Sequence, residues 1–140
     1  KDFILPALFG SVAAPPAVVA ELGRPESPEP VRAWVLSPPT WFCVQTPQVV
    51  DTSLDLDAGE REAISLAQEL QADRILLDDA KARRLAATRG LKVVGTLAIL
   101  AAAHDRGLVD LGRTIDALRA TTFYVDEELV QAILARITMP

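Results

Sequence analysis

Cysteine is nearly absent from this 140-residue chain. Cys43 stands alone, so no internal disulfide can form, and a reducing cytoplasm is the compartment to expect. On its own, Cys43 reads as a small buried hydrophobe. Histidine is equally scarce, and the one present, His104, falls late in an alanine-rich helical stretch, where a surface or hydrogen-bonded role is the simple reading. No zinc-ligand spacing, G-x-S-x-G, P-loop or dinucleotide fingerprint occurs. No apolar run is long enough to span a membrane, and the N-terminus lacks the charged-then-apolar pattern of a signal peptide.

Half of the residues are hydrophobic, mostly Ala, Leu and Val, and few are aromatic. That composition suits helices packed on a small parallel sheet, and the length suits one domain over 1–140 with a substantial core. The net charge of −5 argues against a protein that coats nucleic acid. The basic residues are nevertheless grouped: Lys81, Arg83, Arg84, Arg89 and Lys92 follow the Asp78-Asp79 pair with no acid among them. Phosphate contacts beside a metal site have this pattern, and so does a solvated helix face with bases near its C-terminus.

The chain is organised around 54–83, which predicts a helix, a short strand and the start of a second helix. Asp57 is a good N-cap and Glu60 can close a capping box. Ala63, Ile64, Ala67 and Leu70 recur at helical spacing, with Leu66 widening the stripe, so Glu60 lies on the edge of the buried face. Ala72-Asp73 ends the helix, and Ile75-Leu76-Leu77 reads as a strand covered on both faces. Asp78-Asp79 ends that strand. Ligands of open α/β sheets bind at the carboxyl ends of strands, and carboxylates gathered there repel one another unless a cation sits among them. Plain helix capping is the competing reading for Asp57, Glu60 and the Asp78-Asp79 pair.

Upstream, a short helix to Phe9 ends at Gly10, a strand is predicted over Val12-Ala13-Ala14, and Pro15-Pro16 opens a helix through Leu22. Glu21 is the one charge on that helix and reads as an exposed acid. A proline-rich loop covers 24–30, Val31 to Leu36 reads as strand or irregular, and Trp41 to Val44 as a short or edge strand. Trp34 and Trp41 read as core or cover for this region. Downstream, a helix to Arg89 stops at Gly90, and a strand over 91–94 leads to a helix capped by Thr96. A helix capped by Asp110, a strand over 122–125 and a last helix capped by Asp126 follow. Strands alternating with helices imply a parallel sheet with helices on both faces.

Four segments in order resemble the PIN-like domains, and within them the branch related to the VapC-type toxin ribonucleases. Leu56-Asp57-Ala58-Gly59-Glu60 with Ala63-Ile64 and Leu66-Ala67 matches LDxGExxAIxLA, and Leu76-Leu77-Asp78-Asp79 with Ala82-Arg83 matches LLDDxxAR. LFGSVAAPPAVVAEL and GLKVVGTLAILAAAHDRGLV supply the other two. The resemblance implies a three-layer α/β/α sandwich around a central parallel sheet. It implies metal-dependent cleavage of RNA, often as the toxin of a toxin–antitoxin pair, with acids holding Mg²⁺ or Mn²⁺. By this resemblance the acids are Glu21, Glu60 and Asp79 or its neighbour Asp78, with Lys81, Arg83 and Arg84 toward the substrate. A small antitoxin protein and a homodimer are the implied partners.

The family's first strand, which ends in an acid, would lie upstream of Lys1, so the chain is expected to be N-terminally incomplete. Asp51-Thr52-Ser53 looks like that strand-end motif but sits where the family has a connection, and the role is not carried to it. Two other functions stay open on the sequence: a non-catalytic PIN-like module that binds RNA or protein, and a phosphohydrolase of small molecules.

Overall fold

The computed structural model describes residues 4–26, 29–120 and 127–138. The chain divides into two compact units, 1–94 and 95–140.

The first unit opens with α1 (Ile4–Phe9), β1 (Val12–Ala14) and α2 (Pro16–Leu22). Gly10 takes a positive φ of 78° between α1 and β1, where a side chain would be strained. Next come α3 (Glu29–Leu36) and β2 (Phe42–Val44). α3 corrects the expectation of strand or irregular chain over 31–36. Pro30 falls in its first turn, where a missing N–H costs nothing, and Glu29 complements the helix dipole there. Val31, Trp34 and Val35 then share one half-buried face at helical spacing. Trp34 stands 5.7 Å from Trp41 and 4.9 Å from Phe42, centroid to centroid, so the aromatics do cover this region.

β1 and β2 pair in parallel, Val12 opposite Phe42 and Ala14 opposite Val44. Cys43 lies on this ladder but is exposed, against the expectation of burial. Among the described residues β2 has a strand on one side only, and the Cys43 sulfur accepts from the Gln45 side-chain amide at 3.5 Å.

The second half of this unit is α4 (Ala58–Leu70), β3 (Ile75–Leu76), α5 (Ala80–Thr88) and β4 (Val93–Val94). α4 ends one residue earlier than expected, at Gln71, which adopts the left-handed conformation (φ 51°, ψ 49°). The Ala72 amide then bonds back to the Ala67 carbonyl at 3.0 Å, a Schellman-type closure. β3 and β4 pair in parallel, and the ladder continues through Leu77 N–H to Val94 C=O at 3.0 Å. Ile64 and Ala67 of α4, Ile75 and Leu77 around β3, and Ala82 and Ala86 of α5 close one core with Leu54. Ile64 is fully buried, and truncating such a residue to Ala costs about 2–5 kcal/mol. Leu76 points the other way and is about half exposed, so this strand is covered on one face rather than two.

The second unit holds α6 (Thr96–Asp105), α7 (Leu111–Arg119) and α8 (Glu127–Thr138). The N-cap of α6 is Gly95 rather than Thr96, with no side-chain hydrogen bond. Asp110 caps α7 as expected, accepting from the Arg113 amide at 3.1 Å. His104 Nδ1 accepts from the Leu111 amide at 3.1 Å, which gives the lone histidine a structural task in the α6–α7 turn. Arg119 bridges Asp116 and Glu127, linking α7 to α8. The strand expected over 122–125 and the Asp126 cap lie outside the described residues.

The fold is thus mixed α/β, its described strands forming two parallel pairs with helices between them. Among the described residues, no helix is long and apolar enough to cross a membrane.

Candidate active site

Local sequence builds the first part of the site. Asp57 caps α4, its Oδ1 accepting from the Glu60 amide at 2.9 Å. That turn sets Glu60 at the rim of the buried face. Asp79 caps α5 in the same way, its Oδ2 accepting from the Ala82 amide at 3.0 Å. Each aspartate therefore has one carboxylate oxygen engaged by a helix end, and both capping expectations hold. Asp78 is exposed beside Asp79.

Glu21 arrives from α2, which packs along α4. Its carboxylate lies over Gly59, so that a β-carbon at position 59 would meet Glu21 Oε1 at 2.5 Å. Glu21 is thus half-buried against α4 rather than an isolated exposed acid. Glu62, one turn along α4 from Gly59, accepts a hydrogen bond from the Ala17 amide at 3.1 Å.

The electrostatic outcome is concentrated on Glu60. Its carboxyl is raised above the ordinary glutamate value, first by burial and then by the charges of Asp57, Asp79 and Glu21, with the Asp57 backbone amide partly offsetting them. Acids from α2, the start of α4 and the β3–α5 turn therefore all bear on Glu60. Of the acids singled out in the sequence, Asp57, Asp79 and Glu21 lie near enough to Glu60 to act on its carboxyl. Among the described residues, no three Asp, Glu, His or Cys side chains gather closely enough to form a ready three-ligand metal cage.

The basic residues are divided. Lys81 bonds to Asp55 at 2.7 Å, and this pairing lowers the Asp55 pKa. Arg83 and Arg84 are exposed on α5. Arg89 pairs with Asp51 at 2.5 Å. Asp51 also accepts from the backbone and hydroxyl of Ser53, and its own amide donates to Ser65 Oγ at 3.0 Å. The Ser53 and Arg89 bonds hold its carboxyl down at about 2. Asp51 thus fastens the 48–53 loop through bonds to Ser53, Arg89 and Ser65.

A family model described as a PIN domain matches residues 3–139. The chain belongs to the PIN-domain family. This is a nuclease-type fold, and PIN domains generally act on RNA with divalent metals. No curated protein and no solved structure matches the chain.

Sequence reasoning about this PIN domain had both Glu62 and Gly59 within the stretch it singled out, and missed what each does against α2. One signal was available: a helix opened by Pro15-Pro16 has no side chain of its own able to cap it, and the structure finds none. An acid from elsewhere in the chain is the natural substitute.

Proposed function

We propose that this PIN domain is a metal-dependent endoribonuclease, the toxin of a prokaryotic toxin–antitoxin pair. The observation that carries the reading is the convergence on Glu60: Glu21 is seated over the adjacent Gly59, and each charged neighbour that raises the Glu60 carboxyl is another carboxylate. A divalent cation would relieve that repulsion. The donor chemistry fits, since carboxylate oxygens are hard ligands. Mg²⁺ usually keeps several waters and takes only one or two carboxylates, so a three-ligand cage is not required. Glu60, Asp79 and Glu21 would hold the ion, Mg²⁺ or Mn²⁺, one or two of them directly and the rest through its waters, with Asp78 beside them.

When bound, such an ion supplies Lewis acidity, lowering the pKa of water and offsetting charge on a phosphodiester. The protein's own residues supply position. Glu60 is carried on the first turn of a helix whose cap fixes it, and Asp79 on the turn between β3 and α5. Arg83 and Arg84 present exposed guanidinium groups one turn from Asp79, placed to bind phosphate oxygens of the substrate. Lys81 is held by Asp55 and would join them by exchanging that partner. The net charge of −5 suits a basic antitoxin peptide as partner, and the family resemblance supports a cytoplasmic homodimer.

A second reading, a PIN module that binds RNA or protein without cleaving, is favoured by the capping bonds of Asp57 and Asp79, which give both acids a structural reason to be present. One experiment separates the two. A labelled RNA panel is incubated with the protein in Mg²⁺, Mn²⁺ or EDTA, beside Glu60→Gln and Asp79→Asn. Asn is as good an N-cap as Asp, so Asp79→Asn removes charge while keeping the helix end. Cleavage that requires metal and is lost in both variants supports the nuclease. RNA bound but intact, in folded protein with metal present, supports the binding module.

A further inference from the structure

α2 packs along α4, and two of its contacts there are in register. Ala17 and Glu21 are four apart on α2, hence on one face and one turn apart. Their counterparts, Glu62 and Gly59, are three apart on α4 and again share a face. Ala17 meets Glu62, and Glu21 meets Gly59. As the chain advances along α2 it retreats along α4, so the two helices run antiparallel at this seam. Val18 joins it, its Cγ2 lying 3.5 Å from where a Gly59 β-carbon would be.

α2 has seven residues and an N-cap, Pro15, with no side-chain hydrogen bond. Short isolated helices are marginal in water. The Glu62 carboxylate supplies the missing cap and places a negative charge at the positive end of the α2 dipole. We propose that Glu62 is a positioning residue: by capping α2 through the Ala17 amide, it holds the helix in the register that lays Glu21 over Gly59 and beside Glu60. The inference rests on Glu21 and Glu60 belonging to the acid site. Glu62 itself touches neither ion nor substrate. Its carboxylate is spent on the backbone of another helix, and its effect on the site passes through the orientation of α2.

The test uses Glu62→Ala, Glu62→Gln, Glu21→Gln and the double variant Glu21→Gln/Glu62→Ala in the full chain. Two readouts apply: Mn²⁺ affinity by electron paramagnetic resonance, and the contact between the Val18 methyls and the Gly59 α-protons by NMR. Glu62→Ala is expected to weaken Mn²⁺ binding about 10-fold, the usual scale for loss of an outer partner that orients a ligand, and to abolish the Val18–Gly59 contact while α4 stays folded. Glu62→Gln keeps an acceptor oxygen and is expected to restore both. The double variant is expected to bind Mn²⁺ no more weakly than Glu21→Gln, because both changes disable the same carboxylate.

A merely structural Glu62 would lower thermal stability and leave both readouts unchanged in the folded fraction, which would overturn the proposal. Glu62→Gln matching Glu62→Ala in Mn²⁺ affinity would also overturn it, since charge alone would then be the cause. If the wild-type chain binds no Mn²⁺, the metal-nuclease reading fails on that result, and the Val18–Gly59 contact still decides whether Glu62 sets the register.

Discussion

The Glu21 carboxylate rests on the bare α-carbon of Gly59, one residue before Glu60. Adding a methyl group there sets two effects against each other. Alanine is favoured over glycine in a helix by about 1 kcal/mol. The clash at 2.5 Å is with the far end of a flexible side chain, which can swing away at small cost. Gly59→Ala should therefore leave thermal stability within about 1 kcal/mol of wild type while displacing Glu21. Cleavage and Mn²⁺ affinity should fall together, measured beside a melting curve. A large loss of stability with intact Mn²⁺ affinity would contradict this account of the contact.

Glu60 should destabilise the fold at neutral pH. Its carboxyl is raised in the folded state by burial and by Asp57, Asp79 and Glu21, so the folded protein holds that proton more tightly than the unfolded chain does. Stability from this group is then fullest below the ordinary glutamate pKa and declines as pH rises through the raised value. Glu60→Gln is expected to melt higher than wild type near pH 7, with the gain vanishing near pH 4, and to lose the cleavage expected of wild type. Added Mg²⁺ should raise the melting temperature of wild type more than that of the variant. Melting curves across pH, with and without Mg²⁺, check both statements.

Asp51 works in the opposite sense. Its carboxyl is held at about 2 by Ser53 and Arg89, against an ordinary value of 3.8. The stability it supplies is complete above the ordinary value and is lost as pH falls toward about 2. Asp51→Ala should lower the unfolding midpoint at pH 7, and the gap to wild type should close through that acid window. Cleavage by the folded variant should persist, because Asp51 fastens a loop and holds no ion. Loss of cleavage without loss of stability would place Asp51 in the site after all.

Arg83 and Arg84 are exposed, whereas Lys81 and Arg89 are already paired with acids. Replacing Arg83 and Arg84 by Ala should weaken RNA binding and lower the salt dependence of log K by about 1 to 2, with little change in melting temperature. Arg89→Ala should instead lower the melting temperature and leave the salt slope alone. Titrations of a labelled RNA at several salt concentrations separate these outcomes.

Much of the fold was legible because its signals are local. Asp57, Asp79 and Asp110 each cap a helix through an amide three residues on, within reach of any sequence reading. Proline misled over 29–36: Pro30 looked like a breaker and proved to sit in the first turn of α3, where proline is harmless. Thr96 looked like a cap beside a glycine that holds the position itself. What stayed hidden was long-range pairing. The partners of Lys81 and Arg89 lie 26 and 38 residues away, and in a segment read as uniformly basic these two bases turned out to be paired with acids. The acid site was legible in its residue types, yet the seating of Glu21 on Gly59 depends on how two helices pack.

The cap of α2 comes from 45 residues downstream. A ribosome releasing this chain from its N-terminus sets α2 free long before Glu62 appears. A seven-residue helix without its cap does not persist alone, so Glu21 has no fixed place in the nascent chain. Its seat is created only when α4 has emerged and coiled. The order of synthesis thereby keeps the acids of this protein apart until the segment that assembles them has been made.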